Sequence, residues 1–312
     1  MTRLFVEGWA PEYGASVEPD ENLRAAEGSV DVEVEQRPWE AISGVDDGIP
    51  KVAFVDGVRR IDARLLLDEP AGPIPGICGS YAVGAVLWDR VERRSEVIEA
   101  TTTRLAVLAG GHVPELPALD YGLTFDGVSV ADDDPAALVR AFHDAMRRAE
   151  AYLAEELAQG GYFVVADGPL YEYTETDKMG YVKSHRRAYL SPEHAPLLGE
   201  LGACQRTPLF AIGEGRYRRL SWYVRLVDRA GGHSWSGIAR CEASASLGTD
   251  VAARLADRSA AVLPLVASEG HIDPRAPQNL VPIAALEKDL RHGLGDAGLV
   301  LRALRKAMGA AA

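Results

Sequence analysis

The sequence predicts an α/β protein: a mixed central sheet flanked by helices, with an N-terminal arm and a helical C-terminal end. Three observations predict it. From Lys51 onward, "KVAFVDG", "VRRIDARLLLDE", "GICGSYAVGAVLWDR" and "SEVIEATTTRLAVLAG" are successive strand-like runs with turn residues between them, the mark of an antiparallel meander. A long amphipathic stretch follows, with acids and Pro135 in front and Gly160 and Gly161 behind. Then "YFVVADG" is apolar without alternation, as a strand covered on both faces is.

Taken in order, residues 1–48 are acidic and rich in Glu, Asp and Pro, with one strand pattern at "SVDVEVEQ"; they read as an arm or small subdomain ahead of a domain spanning 49–312. After the meander, Leu138, Phe142, Ala145, Ala149 and Leu153 form the apolar stripe of the helix. Beyond "YFVVADG" come a strand at "MGYVKSHRRAYL", a helix at "SPEHAPLLGELG", and strands at "TPLFAIGE", "RLSWYVRLVD" and "GIARCEAS". Helices are expected at roughly 250–266, 282–292 and 297–308. No tandem repeat or linker divides the chain.

Composition narrows the function classes. At 312 residues and 47% apolar content the chain can bury a large core. No apolar run is long enough to span a membrane, and the N-terminus lacks the layout of a secretion signal, so a cytoplasmic location without membrane association is expected. Cys78, Cys204 and Cys241 are widely spaced, which fits neither a disulfide framework nor a zinc cage. The net charge of −13 argues against coating nucleic acid by bulk attraction. It leaves room for a local basic groove, and arginines do cluster around 59–64, 90–94, 186–187 and 216–225.

Two apolar runs end alike. "VAFVDG" closes on Asp56-Gly57 and "YFVVADG" on Asp167-Gly168. Either pair alone reads as an ordinary Asp-Gly turn. Together they put two acids at strand ends, and the helix between them supplies a third. A strand of about 17 Å from Tyr162 to Asp167 is matched by about 11 helical residues running the other way, which counts back from Gly160 to the neighbourhood of Glu150. Glu155 and Glu156 lie near the turn, at the wrong end. Three converging carboxylates repel one another unless a cation compensates. Hard oxygen ligands suit Mg²⁺ or Mn²⁺, and a pair of such ions can hydrolyse a phosphodiester.

"AFVDGVRR", "AEAYLAEEL…YFVVADGPL" and "GYVKSHRRAYL" resemble, in order and spacing, the signature stretches of the NurA nuclease family, over roughly residues 50–310. The resemblance implies a ribonuclease-H-like core, Mn²⁺- or Mg²⁺-dependent DNA cleavage with two ions, a ring-shaped homodimer, and work with a hexameric HerA-type translocase in DNA end processing or phage defence. Carried over, Asp56 matches the first metal aspartate, Glu150 the helical glutamate, Asp167 the second aspartate, and Lys183 the lysine of the following strand. Val58 stands where the family usually has serine. The family's C-terminal metal histidine has no clear match; His271 and Asp273 are the nearest candidates for a fourth ligand, with Glu287 behind them.

Lys183 would stabilise charge building on a phosphate, or simply offset the acids. Arg59, Arg60, Arg186 and Arg187 are candidates for DNA contact, with at most one of the last two facing the groove. Tyr171, Tyr173, Tyr181, Trp222 and Tyr223 could stack on bases, although core packing is the better reading for most. "GGHSWSG" fails as a nucleophile elbow because Ser236 replaces the second glycine, and no phosphate-binding loop of a nucleotide-driven motor is present. Two other readings stay open: a non-catalytic adaptor that docks a translocase, and a two-carboxylate sugar hydrolase that needs no metal.

Overall fold

The computed structural model describes residues 3–6, 30–132, 134–171, 176–183, 188–215, 218–228, 235, 237–269, 271–272 and 275–310. Two short strands come first, β1 (Arg3–Val6) and β2 (Ile42–Ser43). The meander follows as β3 (Lys51–Glu69), β4 (Gly72–Asp89) and β5 (Arg94–Leu108), with β6 (Asp126–Ser129) parallel to the end of β5. The long helix is α1 (Pro135–Gln159). Asp134 caps it by accepting from the Ala136 N–H, Pro135 starts it where no N–H is needed, and Gly161 leaves it at φ +84°.

After α1 the chain enters β7 (Phe163–Asp167) and β8 (Lys178–Val182), then a single turn, α2 (Leu197–Glu200). The helix expected at "SPEHAPLLGELG" is no longer than this, in a stretch where Pro192 and Pro196 each lack an N–H to donate. Then come β9 (Gln205–Arg206), β10 (Phe210–Ile212), β11 (Arg219–Arg225) and β12 (Ile238–Ser244). The chain finishes in α3 (Thr249–Val262), α4 (Val281–Gly293) and α5 (Ala297–Ala310), close to the expected boundaries.

One sheet holds all of these strands, in the order β2-β9-β11-β12-β8-β7-β3-β4-β5-β6, with β1 on β3 and β10 on β11. At its centre β3, β4 and β5 are antiparallel neighbours, while β7 returns after α1 to lie parallel to β3, and β8 lies parallel to β7. An antiparallel meander followed by a helical crossover and two parallel strands is a ribonuclease-H-like core. The arm is joined to it: Asp31 bridges to Ala211, β2 pairs with β9, and Glu35 holds both terminal nitrogens of buried Arg206.

Side-chain alternation sorts the core between the two faces. Val52, Phe54 and Val58 of β3 and Phe163 and Val165 of β7 pack with Leu255, Ala256, Leu286 and Leu290 of α3 and α4. Ala53, Val55 and Val164, on the other face, meet Ala154 of α1, whose Phe142 is buried among Ile77, Tyr81 and Val107. Phe142 alone contributes about 2–3 kcal/mol by leaving water. The same alternation puts Asp56 and Asp167 on the α3/α4 face, and Gly57 on the α1 face.

Candidate active site

The pairing register explains the repeated ending. Val55 of β3 stands opposite Ala166 of β7 in a parallel ladder, so the next step along both strands brings Asp56 beside Asp167 on one face. The third member comes from α4. Carboxylate oxygens of Asp56, Asp167 and Glu287 all lie within 4.8 Å of one another. Ile283, Leu286 and Leu290 anchor α4 to the sheet, and that stripe turns Glu287, only 7% exposed, toward the strand ends.

Glu150 is buried as well, but it approaches from the other face and stands outside that set. It reaches past Gly57: a Cβ there would fall inside the Glu150 carboxylate. Glycine after Asp56 therefore opens a gap in the sheet through which the helical acid acts on the site. Arg147 holds Glu150 at 2.8 Å and bonds the carbonyls of Asp167 and Pro169, tying α1 to the end of β7. Gly168, at φ +85°, makes the turn there.

Lys183, just past β8, donates to Asp167 Oδ2 at 2.6 Å and to Asn279 Oδ1 at 3.0 Å. The Tyr181 hydroxyl donates to the Gln278 carbonyl at 2.7 Å. Both bonds dock the approach to α4 on the end of β8. Glu287 is gripped by Arg275 at 3.0 and 3.2 Å, with Arg291 at 3.4 Å.

The electrostatics remain unbalanced at the centre. Asp56 Oδ1 accepts the Gly57 N–H at 2.8 Å, whereas Asp56 Oδ2 and Asp167 Oδ1 are buried with no hydrogen-bond partner among the described residues. Burial, then the charges of Asp167 and Glu150, push the Asp56 carboxyl well above its ordinary range. Burial raises Asp167 too, against the pull of Lys183. Buried carboxylate oxygens are normally satisfied, and neighbouring acids that repel one another call for a cation. The donor set, all hard oxygens, fits Mg²⁺ or Mn²⁺.

The other expected residues fall elsewhere. His271 is 74% exposed beside Glu269 and is not part of the acidic group. Asp273, Arg186, Arg187 and Tyr173 lie outside the described residues. Arg60, expected at DNA, instead bonds Asp62 and the carbonyls of Leu294 and Gly295, clamping the C-terminal end of α4 to β3, where a cation is favoured. Arg59 is half-buried, two residues beyond Gly57 and so on the α1 face. Tyr181, Trp222 and Tyr223 are core residues. Arg219 and Arg225 are buried too, and Arg90 pairs with Asp46.

The fold and site together describe a ribonuclease-H-like α/β protein with a buried acidic cluster at the ends of two parallel strands. No family model and no curated protein matches the chain. Among solved structures, it is similar to the NurA nuclease from Sulfolobus solfataricus, at 10% identity and TM-score 0.46 over 91% of this chain and 90% of that one. It is also similar to the catalytic domain of human Endonuclease V (16%, 0.33, 94% and 100%) and to Ciona intestinalis Endonuclease V in complex with a DNA containing inosine (9%, 0.30, 78% and 86%). Likeness at this level leaves the function to be argued from the side chains. Among the described residues no helix is long and apolar enough to cross a membrane.

Proposed function

We propose that the protein is a divalent-metal-dependent DNA nuclease that hydrolyses phosphodiester bonds at the Asp56–Asp167–Glu287 cluster. The observation that carries this reading is a set of three carboxylates, Asp56, Asp167 and Glu287, with oxygens within 4.8 Å of one another, in which Asp56 Oδ2 and Asp167 Oδ1 are buried without a hydrogen-bond partner among the described residues. Asp56, Asp167 and Glu287 would hold Mn²⁺ or Mg²⁺, with Glu150 behind Gly57 adding negative potential. Such ions, when bound, polarise a phosphate and lower the pKa of water. Lys183 spends two of its three protons on Asp167 and Asn279, which fixes its ammonium beside the cluster and leaves a donor for a phosphate oxygen. Arg147 keeps Glu150 in place.

The resemblance in motif order supports DNA as the substrate, a homodimer, and a HerA-type translocase as partner, in end processing or phage defence. The test is incubation of end-labelled linear DNA with purified protein in EDTA, Mg²⁺ and Mn²⁺, beside Asp56→Asn and Asp167→Asn. Cleavage that needs the ion and disappears in both variants is expected. Full cleavage by both variants, or cleavage in EDTA, refutes the reading; no cleavage with any ion favours the adaptor.

A further inference from the structure

The acidic cluster carries its own internal cations, and they differ in one respect. Lys183 on Asp167 and Arg147 on Glu150 are 24% and 10% exposed, built into the wall. The two arginines on Glu287 are rim residues: the side chains of Arg275 and Arg291 are 51% and 61% exposed, while that of Glu287 is 10% exposed. Arg275 also comes from a different element, the segment ahead of α4, and meets Glu287 with two nitrogens at 3.0 and 3.2 Å. A guanidinium matches the forked geometry of a phosphate as well as that of a carboxylate. Glu287 therefore faces two cation sources: the arginine rim, and any metal ion shared with Asp56 and Asp167.

We propose that Arg275, backed by Arg291, exchanges partners: it holds Glu287 while the acid cluster lacks metal, and it grips a backbone phosphate of the nucleic acid once metal takes Glu287. The inference rests on the metal-dependent reading above and adds to it a substrate-binding residue that competes with the ion. The arginine ends of both pairs are open to solvent, so water weakens their hold on the buried acid. The exchange also places a positive fork at the mouth of the site only when the site is loaded, so DNA is held where it can be cut. Arg291, one helical turn beyond Glu287, is positioned to follow the same course.

The test uses the full chain with Arg275→Met and Arg275→Lys. Mn²⁺ uptake is followed by calorimetry without DNA. Binding of a fluorescent oligonucleotide is followed in Ca²⁺, at several salt concentrations, before any cleavage is detected. Arg275→Met is expected to bind Mn²⁺ about 3- to 10-fold more tightly, to bind the oligonucleotide several-fold more weakly, and to lose roughly 0.7–1 from the slope of log affinity against log salt. Arg275→Lys should restore the salt slope. A purely structural arginine would weaken both affinities together. Wild-type protein that takes up Mn²⁺, with an Arg275→Met variant that takes it up equally or more weakly or keeps the full salt slope, overturns the exchange alone. Wild-type protein that takes up no Mn²⁺ overturns the metal reading and the exchange with it.

Discussion

Glu242 and Asp56 are both buried carboxylates on strands of one sheet, and they are held in opposite ways. Glu242, on β12, receives Arg240 and Arg219 and accepts the Leu170 N–H at 3.0 Å. Burial pushes its carboxyl up, but the two guanidiniums outweigh that and hold it below its ordinary value of 4.5. Asp56 has one backbone donor, three acidic neighbours in Asp167, Glu150 and Glu287, and an oxygen with no partner among the described residues, and it is held well above 3.8. At the first, the carboxylate is answered by guanidiniums of the chain itself. The second is complete only with something from outside. Buried charge of equal cost thus marks structure in one place and chemistry in the other, and the partners decide which.

The sharpest way to break this contrast is activity. Asp56→Asn should lower metal-dependent DNA cleavage by at least about 10³-fold, equivalent to about 4 kcal/mol of barrier, while the circular dichroism spectrum stays native. Glu242→Gln should leave the metal requirement intact and instead destabilise the fold by about 3–5 kcal/mol, because it leaves Arg219 and Arg240 buried without their anion. Thermal melts in EDTA should therefore move in opposite directions: down several degrees for Glu242→Gln, and up slightly, by about 1 kcal/mol, for Asp56→Asn, which removes like-charge repulsion. If both variants lose stability equally, Asp56 is only another structural acid.

Gly57→Ala probes the gap between the faces. The added methyl would meet the Glu150 carboxylate, so a loss of about 1–3 kcal/mol is expected, partly relieved when Glu150→Ala is combined with it. Additive losses in a double-mutant cycle would show that the two do not meet.

The smallest effect sharpens the comparison by pH. In the metal-free protein, the raised pKa of Asp56 means that the native state binds its proton before the unfolded chain does. In the window above 3.8, stability should therefore fall as pH rises and recover on acidification. Glu242 has the reverse sign: its contribution is present above 4.5 and is lost as pH falls below that value. Urea titrations of wild type and Asp56→Asn in EDTA between neutral pH and 4 should show the wild-type gain and a flatter line for the variant.

Much of this was legible in the residues. The meander, the crossover helix and the non-alternating "FVVAD" strand follow from periodicity, and matching helix rise to strand rise led to Glu150, which is indeed buried beside Gly57. Two strands that end on Asp-Gly also pointed to adjacency, and the register Val55–Ala166 makes them neighbours. Glu287 was harder. It stands behind His271 and Asp273 among the candidates for a fourth ligand, and only the packing of Leu286 and Leu290 fixes which side of its helix faces the acids. The signal that singles it out is its place one turn after Ile283 on the apolar stripe, an acid where the helical period calls for a hydrophobe. Arg60 misled for a related reason: a basic residue near a catalytic motif looks like a DNA contact, and nothing local reveals that the end of α4 arrives to take its donors.

The parallel seam between β3 and β7 carries one more consequence, for kinetics. Asp56 and Asp167 are separated by roughly a hundred residues of chain, and they meet only when α1 has closed its crossover over the sheet. Contacts of such long sequence separation are costly to form early. Ions caught between the two acids would thus act on the finished molecule more than on the route to it, lengthening its lifetime before it opens and leaving the speed of its assembly almost unchanged.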